Sequence, residues 1–137
     1  RSMSVLIVDA IVALGIKEWV MEGSPTNETE FNSMFRKITG SDSNGMAIET
    51  SDTSKFGVSW SQIQTALANG GVVAMAEVRR QRDELLKETD WMASSDYSIS
   101  DAWKTYRTAL RDLPANNKSA SWDGTTLGNV TFPTKPS

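Results

Sequence analysis

The sequence predicts an α+β fold: an N-terminal helix plus a small antiparallel β pair, a long helix, and a C-terminal helical hairpin with an extended tail. Three observations predict it. Apolar residues recur at helical spacing through Ile63, Leu67, Val78, Leu85 and Leu86, and again through Trp103, Tyr106 and Leu110. Short apolar segments around residues 18–22 and 29–39 lie between clusters of turn-forming residues, as strands do. Pro114 disfavours helical geometry in the residue before it, so the last helix ends near Leu113. Residues 1–58 read as a small α/β region, and residues 59–137 as a helical region with an extended tail.

The elements follow in order. Val5, Val8, Ile11, Val12 and Leu14 place a short helix over 4–14, with Gly15 where a left-handed C-terminal cap belongs and Ile16 making its apolar contact. Glu18–Glu22 is a strand closed by Gly23-Ser24-Pro25. Residues 29–39 fit a helix through Phe31, Phe35 and Ile38, and a strand through Met34, Arg36 and Ile38. Asn32-Ser33 and the nearby strand favour the latter. Gly40–Gly57 reads as a long polar loop, with tight-turn residues at 41–45. Ser59 and Gln62 form a capping box for a helix led by Trp60. Asn69-Gly70-Gly71 then interrupts it. Two interior glycines cost roughly 2 kcal/mol against alanine, so either the helix kinks or two helices meet. A helix from about Val72 to Thr89 follows and ends at Asp90-Trp91. Ser98 or Ser100 caps the last helix. Residues 115–129 read as loop, 129–132 as extended, and Pro133–Pro136 as tail.

Composition restricts the chemistry. Among 137 residues, 39% are hydrophobic and 23% charged, with a net charge of −3. This is neither a disordered nor a membrane composition. The chain has no cysteine and no histidine, which excludes disulfides, Cys/His zinc sites, thiol nucleophiles and His-dependent triads. No cofactor is expected. Met3 reads as a native start preceded by Arg1-Ser2, and no signal peptide is expected, because Asp9 interrupts the apolar stretch. Residues 77–112 hold seven of the 14 basic and eight of the 17 acidic residues. That balance predicts a zwitterionic helical surface and no nucleic-acid footprint. Arg79-Arg80-Gln81-Arg82 is flanked by Glu77, Asp83 and Glu84 and reads as a solvated face. A calcium loop starting at Asp42 fails, with Ala47 at position six and Thr53 at position twelve. Asp90, Asp96 and Asp101 read as turn and cap residues. Trp91, Trp103 and Tyr106 are expected to form a core against the Leu85/Leu86 turn.

The C-terminal half reads Arg82-Asp83-Glu84-Leu85-Leu86-Lys87-Glu88-Thr89-Asp90-Trp91, then Asp96, then Trp103-Lys104-Thr105-Tyr106-Arg107, then Ala109-Leu110-Arg111-Asp112-Leu113-Pro114. It ends Val130-Thr131-Phe132-Pro133-Thr134-Lys135-Pro136. Over roughly residues 78–136 this resembles the tail assembly chaperone family of tailed bacteriophages and the C-terminal parts of tail-fibre assembly proteins. The family pattern is R-x-x-L-L-x-x-T-D-W, an aspartate in a spacer, W-x-x-Y-R-x-x-L-R-D-L-P, and a W-P-x-x-P ending. Phe132 stands where the family has tryptophan, and Trp122 lies in an inserted loop. Residues 3–67 resemble the N-terminal parts of related proteins from T4-like phages of marine cyanobacteria.

The resemblance implies a non-enzymatic protein of phage tail or tail-fibre assembly, acting by protein contacts in the cytoplasm of an infected bacterium. Retention in the virion stays open. So does a structural role as a tail-fibre adaptor, oligomeric through a weak seam of Gly71, Ala74, Val78, Gln81 and Leu85. A carboxylate hydrolase is the alternative from a third class. Leu85, Leu86, Thr89, Asp90, Trp91, Trp103, Tyr106, Arg107, Leu110, Arg111 and Asp112 are expected to act as a folding staple. Thr89 or Asp90 would satisfy backbone donors after the long helix, and Arg107 and Arg111 would pair with Asp90 or Asp112. Trp122, Val130, Phe132 and Pro133 are candidate contacts for a tail or tail-fibre protein. Neither nucleic acid nor membrane is expected as a partner.

Overall fold

Helix α1, Met3–Ala13, buries Ile7, Ala10 and Ile11 and leaves Val12 exposed. Its end is the left-handed cap that Gly15 predicts. Gly15 has φ +82°, its N–H donates to Val12 O at 3.0 Å, and the Ile16 N–H donates to Ile11 O at 3.2 Å. In the computed structural model, which describes residues 3–94 and 98–137, the chain forms two compact units, one running to Ala68 and one beginning at Asn69. The mixture of helix with a small antiparallel sheet is the α+β fold expected. Asp96 lies outside the described residues.

In the first unit, strand β1 (Trp19–Met21) is followed by helix α2 (Glu28–Met34) and strand β2 (Phe35–Ser41). The two readings of residues 29–39 are therefore both half right, and the preference for a strand throughout is corrected. Asn27 caps α2 by accepting from the Glu30 N–H at 2.8 Å, which fixes a helical turn that the alternation alone does not show. Phe35 begins the extended segment. Strand β3 (Ala47–Thr50) pairs antiparallel with β2, which pairs with β1, giving the order β1-β2-β3 with an irregularity between Ile38 and Gly40. The long loop expected over 40–57 is thus corrected to a hairpin with an exposed outer strand and a 3₁₀ turn at Thr53–Lys55. Its polar residues sit in turns. Asp42 Oδ1 accepts from the Asn44 and Met46 N–H groups at 2.8 and 3.0 Å, an internal use of that carboxylate.

Helix α3 (Trp60–Leu67) begins with the expected capping box, Ser59 and Gln62 bonding each other's backbone N–H at 3.2 and 2.9 Å. It packs on α1 and buries Ile63 and Ala66, and so belongs with the first unit, although the sequence pattern groups it with the long helix after it. The core of this unit is aromatic. Phe31 and Phe35 lie 5.0 Å apart, Phe35 and Phe56 4.7 Å, and Trp19 and Trp60 each sit 5.8 Å from one of the phenylalanines. Phe31, Phe35 and Phe56 are fully buried.

The second unit opens where the glycines resolve into two separate helices. Gly70 has φ +77° and its N–H donates to Ala120 O at 2.7 Å, while a Cβ there would run into the Lys118 carbonyl. Helix α4 (Val72–Glu88) gives way to a 3₁₀ turn at Asp90–Ala93. Helix α5 (Asp101–Arg111) is capped by Ser100, and Pro114 lies in the first turn of the short helix α6 (Leu113–Asn116). The loop expected over 115–129 contains a small hairpin, β4 (Ser121–Trp122) with β5 (Leu127–Gly128). The Asp123 carboxylate closes its turn, accepting the Thr126 and Thr125 N–H groups at 2.7 Å, and these bonds hold its pKa below the ordinary value.

Candidate functional site at the end of the long helix

The last carbonyls of a helix have no intrahelical donor, so a long helix ending inside a protein needs outside donors. Arg107, four residues from the end of α5, supplies them to α4. Its Nη1 donates to Leu86 O at 3.0 Å and, by a short bond, to Thr89 Oγ1; its Nη2 donates to Asp90 Oδ1 at 3.0 Å. The Thr89 hydroxyl in turn donates to Leu86 O at 3.2 Å. A threonine both accepts and donates here, which neither valine nor alanine can do. Arg107 is 6% exposed and Thr89 4%, so the sharing takes place out of water. Asp90 is open to solvent, its side chain 65% exposed.

This cluster brings together the T-D and Y-R parts of the sequence signature. A second tie runs from Arg82 Nη1 to Arg111 O at 3.2 Å. With Leu86 against Arg107 and Arg82 against Arg111, the contacts descend α4 as they ascend α5, so the two helices run antiparallel. Tyr106 and Leu110 are buried, and Trp103 lies half-buried with its ring edge-on to Tyr106 at 5.6 Å between centroids. Leu85 and Leu86 are half-buried.

Several assignments need correction. Trp91 is 57% exposed and is no core residue; Met92, one position on, is the buried member of the 3₁₀ turn. A 3₁₀ turn advances about 120° per residue, so a one-residue difference decides which side chain faces inward. Thr89 serves a backbone acceptor, Leu86 O, while the turn's donors are taken by backbone, with the Met92 N–H on Thr89 O at 3.0 Å. Of the two arginines expected to pair, Arg107 does so with Asp90, whereas Arg111 contributes its carbonyl. Asp112 is exposed and makes no side-chain cap of α6.

The four candidate contact residues are partly buried. Trp122, Val130 and Phe132 pack with Met75 and Leu127 against a cluster of Ala74, Val78, Leu113 and Ala120. Pro133 is half-buried beside them in sequence. The tail is further tied by the Thr131 N–H to Asn117 Oδ1 and by Lys135 Nζ to Glu88 Oε1, both at 3.0 Å. Leu113 and Ala120 cover Ala74 and Val78, two of the five positions of the suggested self-association seam. The aromatic cluster of the first unit is not legible in the sequence, because its five members come from β1, α2, β2, the turn before α3 and α3 itself, and only Phe31 and Phe35 share a local period.

Among the described residues no helix is long and apolar enough to cross a membrane, and no group of three or more acidic residues is placed to hold a metal ion. No curated protein and no solved structure matches the chain significantly. Residues 75–137 match the family described as phage tail assembly chaperone protein, the family that the signature resembles.

Proposed function

We propose that the chain acts without catalysis in phage tail or tail-fibre assembly, binding a tail component through protein contacts in the infected host's cytoplasm. The observation that carries this reading is the family match over residues 75–137, which takes up nearly all of the compact unit that begins at Asn69. The geometry supports a division of labour within the signature. Thr89 and Arg107 are spent on joining α4 to α5, Tyr106 and Leu110 are buried, and a side chain held inside its own fold has little left to offer a client. Client contact is therefore assigned to exposed surface.

Retention as a structural adaptor is the competing role. Its oligomeric form through the 59–89 segment is disfavoured, because that segment is two helices and its seam residues Ala74 and Val78 are covered from within the unit. Mass spectrometry of purified virions separates the roles. A chaperone is absent from the particle and co-purifies with tail proteins from infected cells. An adaptor appears in the particle at fixed copy number. Absence from both overturns the tail-assembly reading.

A further inference from the structure

Lys104, Arg107 and Arg111 stand at i, i+3 and i+7 on α5 and so share one face. With Ala93, Ile99 and Thr108 they line a cleft of about 290 Å³. Like charges along one helix face repel, and among the described residues this face is only partly neutralised. Arg107 is paired with Asp90 at 3.0 Å, but Lys104 lies 4.0 Å from Asp101 with both side chains in solvent. Among the described residues the Arg111 guanidinium has no hydrogen bond or ion pair; only its backbone carbonyl is engaged, by Arg82. Lys104 and Arg111 are exposed, and among the described residues their side chains hold nothing beyond the Lys104 contact with Asp101. One cation is thus clamped in place and two flank it, around a lining of alanine, isoleucine and a threonine.

We infer that this cleft receives an acidic peptide segment of a protein partner, its carboxylates on Arg111 and Lys104 and a neighbouring apolar side chain against Ala93 and Ile99. The inference rests on the proposal that the chain works by protein contacts and names the chemistry of the contact. A guanidinium matches a carboxylate with two parallel hydrogen bonds. Arginine clusters are a recurring means of recognising acidic motifs. A nucleic-acid strand is the weaker fit. It needs an extended basic track, whereas this cleft is short, part apolar, and set in a chain of net charge −3.

The test uses the full chain and two fluorescein-labelled hexapeptides, one repeating Leu-Glu-Glu and one repeating Leu-Gln-Gln, followed by fluorescence anisotropy at low salt. The acidic peptide is expected to bind saturably and to weaken as salt rises, and the glutamine peptide not to bind. R111A and K104A should each weaken binding about tenfold with unchanged melting temperature. Equal binding of both peptides, no saturable binding of the acidic one, or undiminished affinity in R111A and K104A overturns the inference. Displacement by inorganic phosphate or a short oligonucleotide at lower concentration than by unlabelled acidic peptide also overturns it. Failure of the underlying reading looks different. If wild type binds the peptide but no tail protein co-purifies from infected cells, the tail-assembly proposal falls and the cleft stands. If tail proteins co-purify equally with the K104A/R111A double variant, the cleft falls and the proposal stands.

Discussion

Arg107 makes one ion pair and two bonds to neutral oxygens, and these differ in weight. Its pair with Asp90 opens to water on the carboxylate side, where ion pairs contribute less than about 1 kcal/mol. The bonds to Leu86 O and Thr89 Oγ1 are buried, and losing a partner there strands groups at about 1–3 kcal/mol. T89V should therefore destabilise more than D90N, and R107M more than either, by about 2–4 kcal/mol in urea unfolding. The reverse order would mean that the ion pair dominates. The turn beyond gives a second contrast: M92A should cost about 2–3 kcal/mol and W91A less than about 1, since only Met92 is buried. Comparable losses would place Trp91 in the core after all. Asp123 gives a pH dependence. Its carboxyl pKa is lowered by the Thr126 and Thr125 N–H bonds, so its contribution is present above the unfolded-state pKa and is lost as pH falls through the folded one. The stability difference between wild type and D123N should be seen at pH 7 and vanish in strong acid.

At the scale of elements, the helix ends were readable because caps are local. Ser59-x-x-Gln62 and Gly15-Ile16 make bonds within a few residues, and both stand as expected. Gly70 adds a contact that its neighbours in sequence do not disclose. At Gly15 a Cβ meets open space, so G15A should cost only the left-handed penalty of about 1–2 kcal/mol. At Gly70 the added carbon meets the Lys118 backbone, which no rotamer change relieves, and overpacking adds about 1–3 kcal/mol. Thermal melts of G70A and G15A should differ in that order. The tail is the other long-range element. Val130 and Phe132 cover the cluster between α4 and α6, so a chain ending at Asn129 should lose about 2 kcal/mol or more and melt lower. An unchanged melting temperature would make the tail available to a partner.

For the whole molecule, two cores of different make explain why the sequence division at residue 58 and the structural division after Ala68 differ. Helical periodicity runs on from Trp60 to Glu88 with only the glycines between, which joins α3 to α4 on paper. Ile63 and Ala66 are instead buried on a helix that packs against α1, in a unit whose centre is three phenylalanines. The C-terminal unit is built of smaller pieces, Ala74, Val78, Leu113 and Ala120, sealed by Trp122, Val130 and Phe132.

By itself the sequence determined what depends on near neighbours: the α+β class, the capped ends of α1 and α3, the break at the glycines, the end of α5 shortly before Pro114, and a signature specific enough to indicate the phage tail assembly chaperone family over its C-terminal part. Tertiary structure decided what depends on distant partners. It chose helix and then strand for residues 28–41, made a hairpin of a polar loop, and turned Met92 inward in place of Trp91. It also gave the tail and Trp122 to the chain's own core and left Arg111 unpaired among the described residues. The physical reason is the range of the forces involved. Caps and turns are hydrogen bonds closed within four residues, whereas burial is a property of surfaces that meet only after the chain has folded.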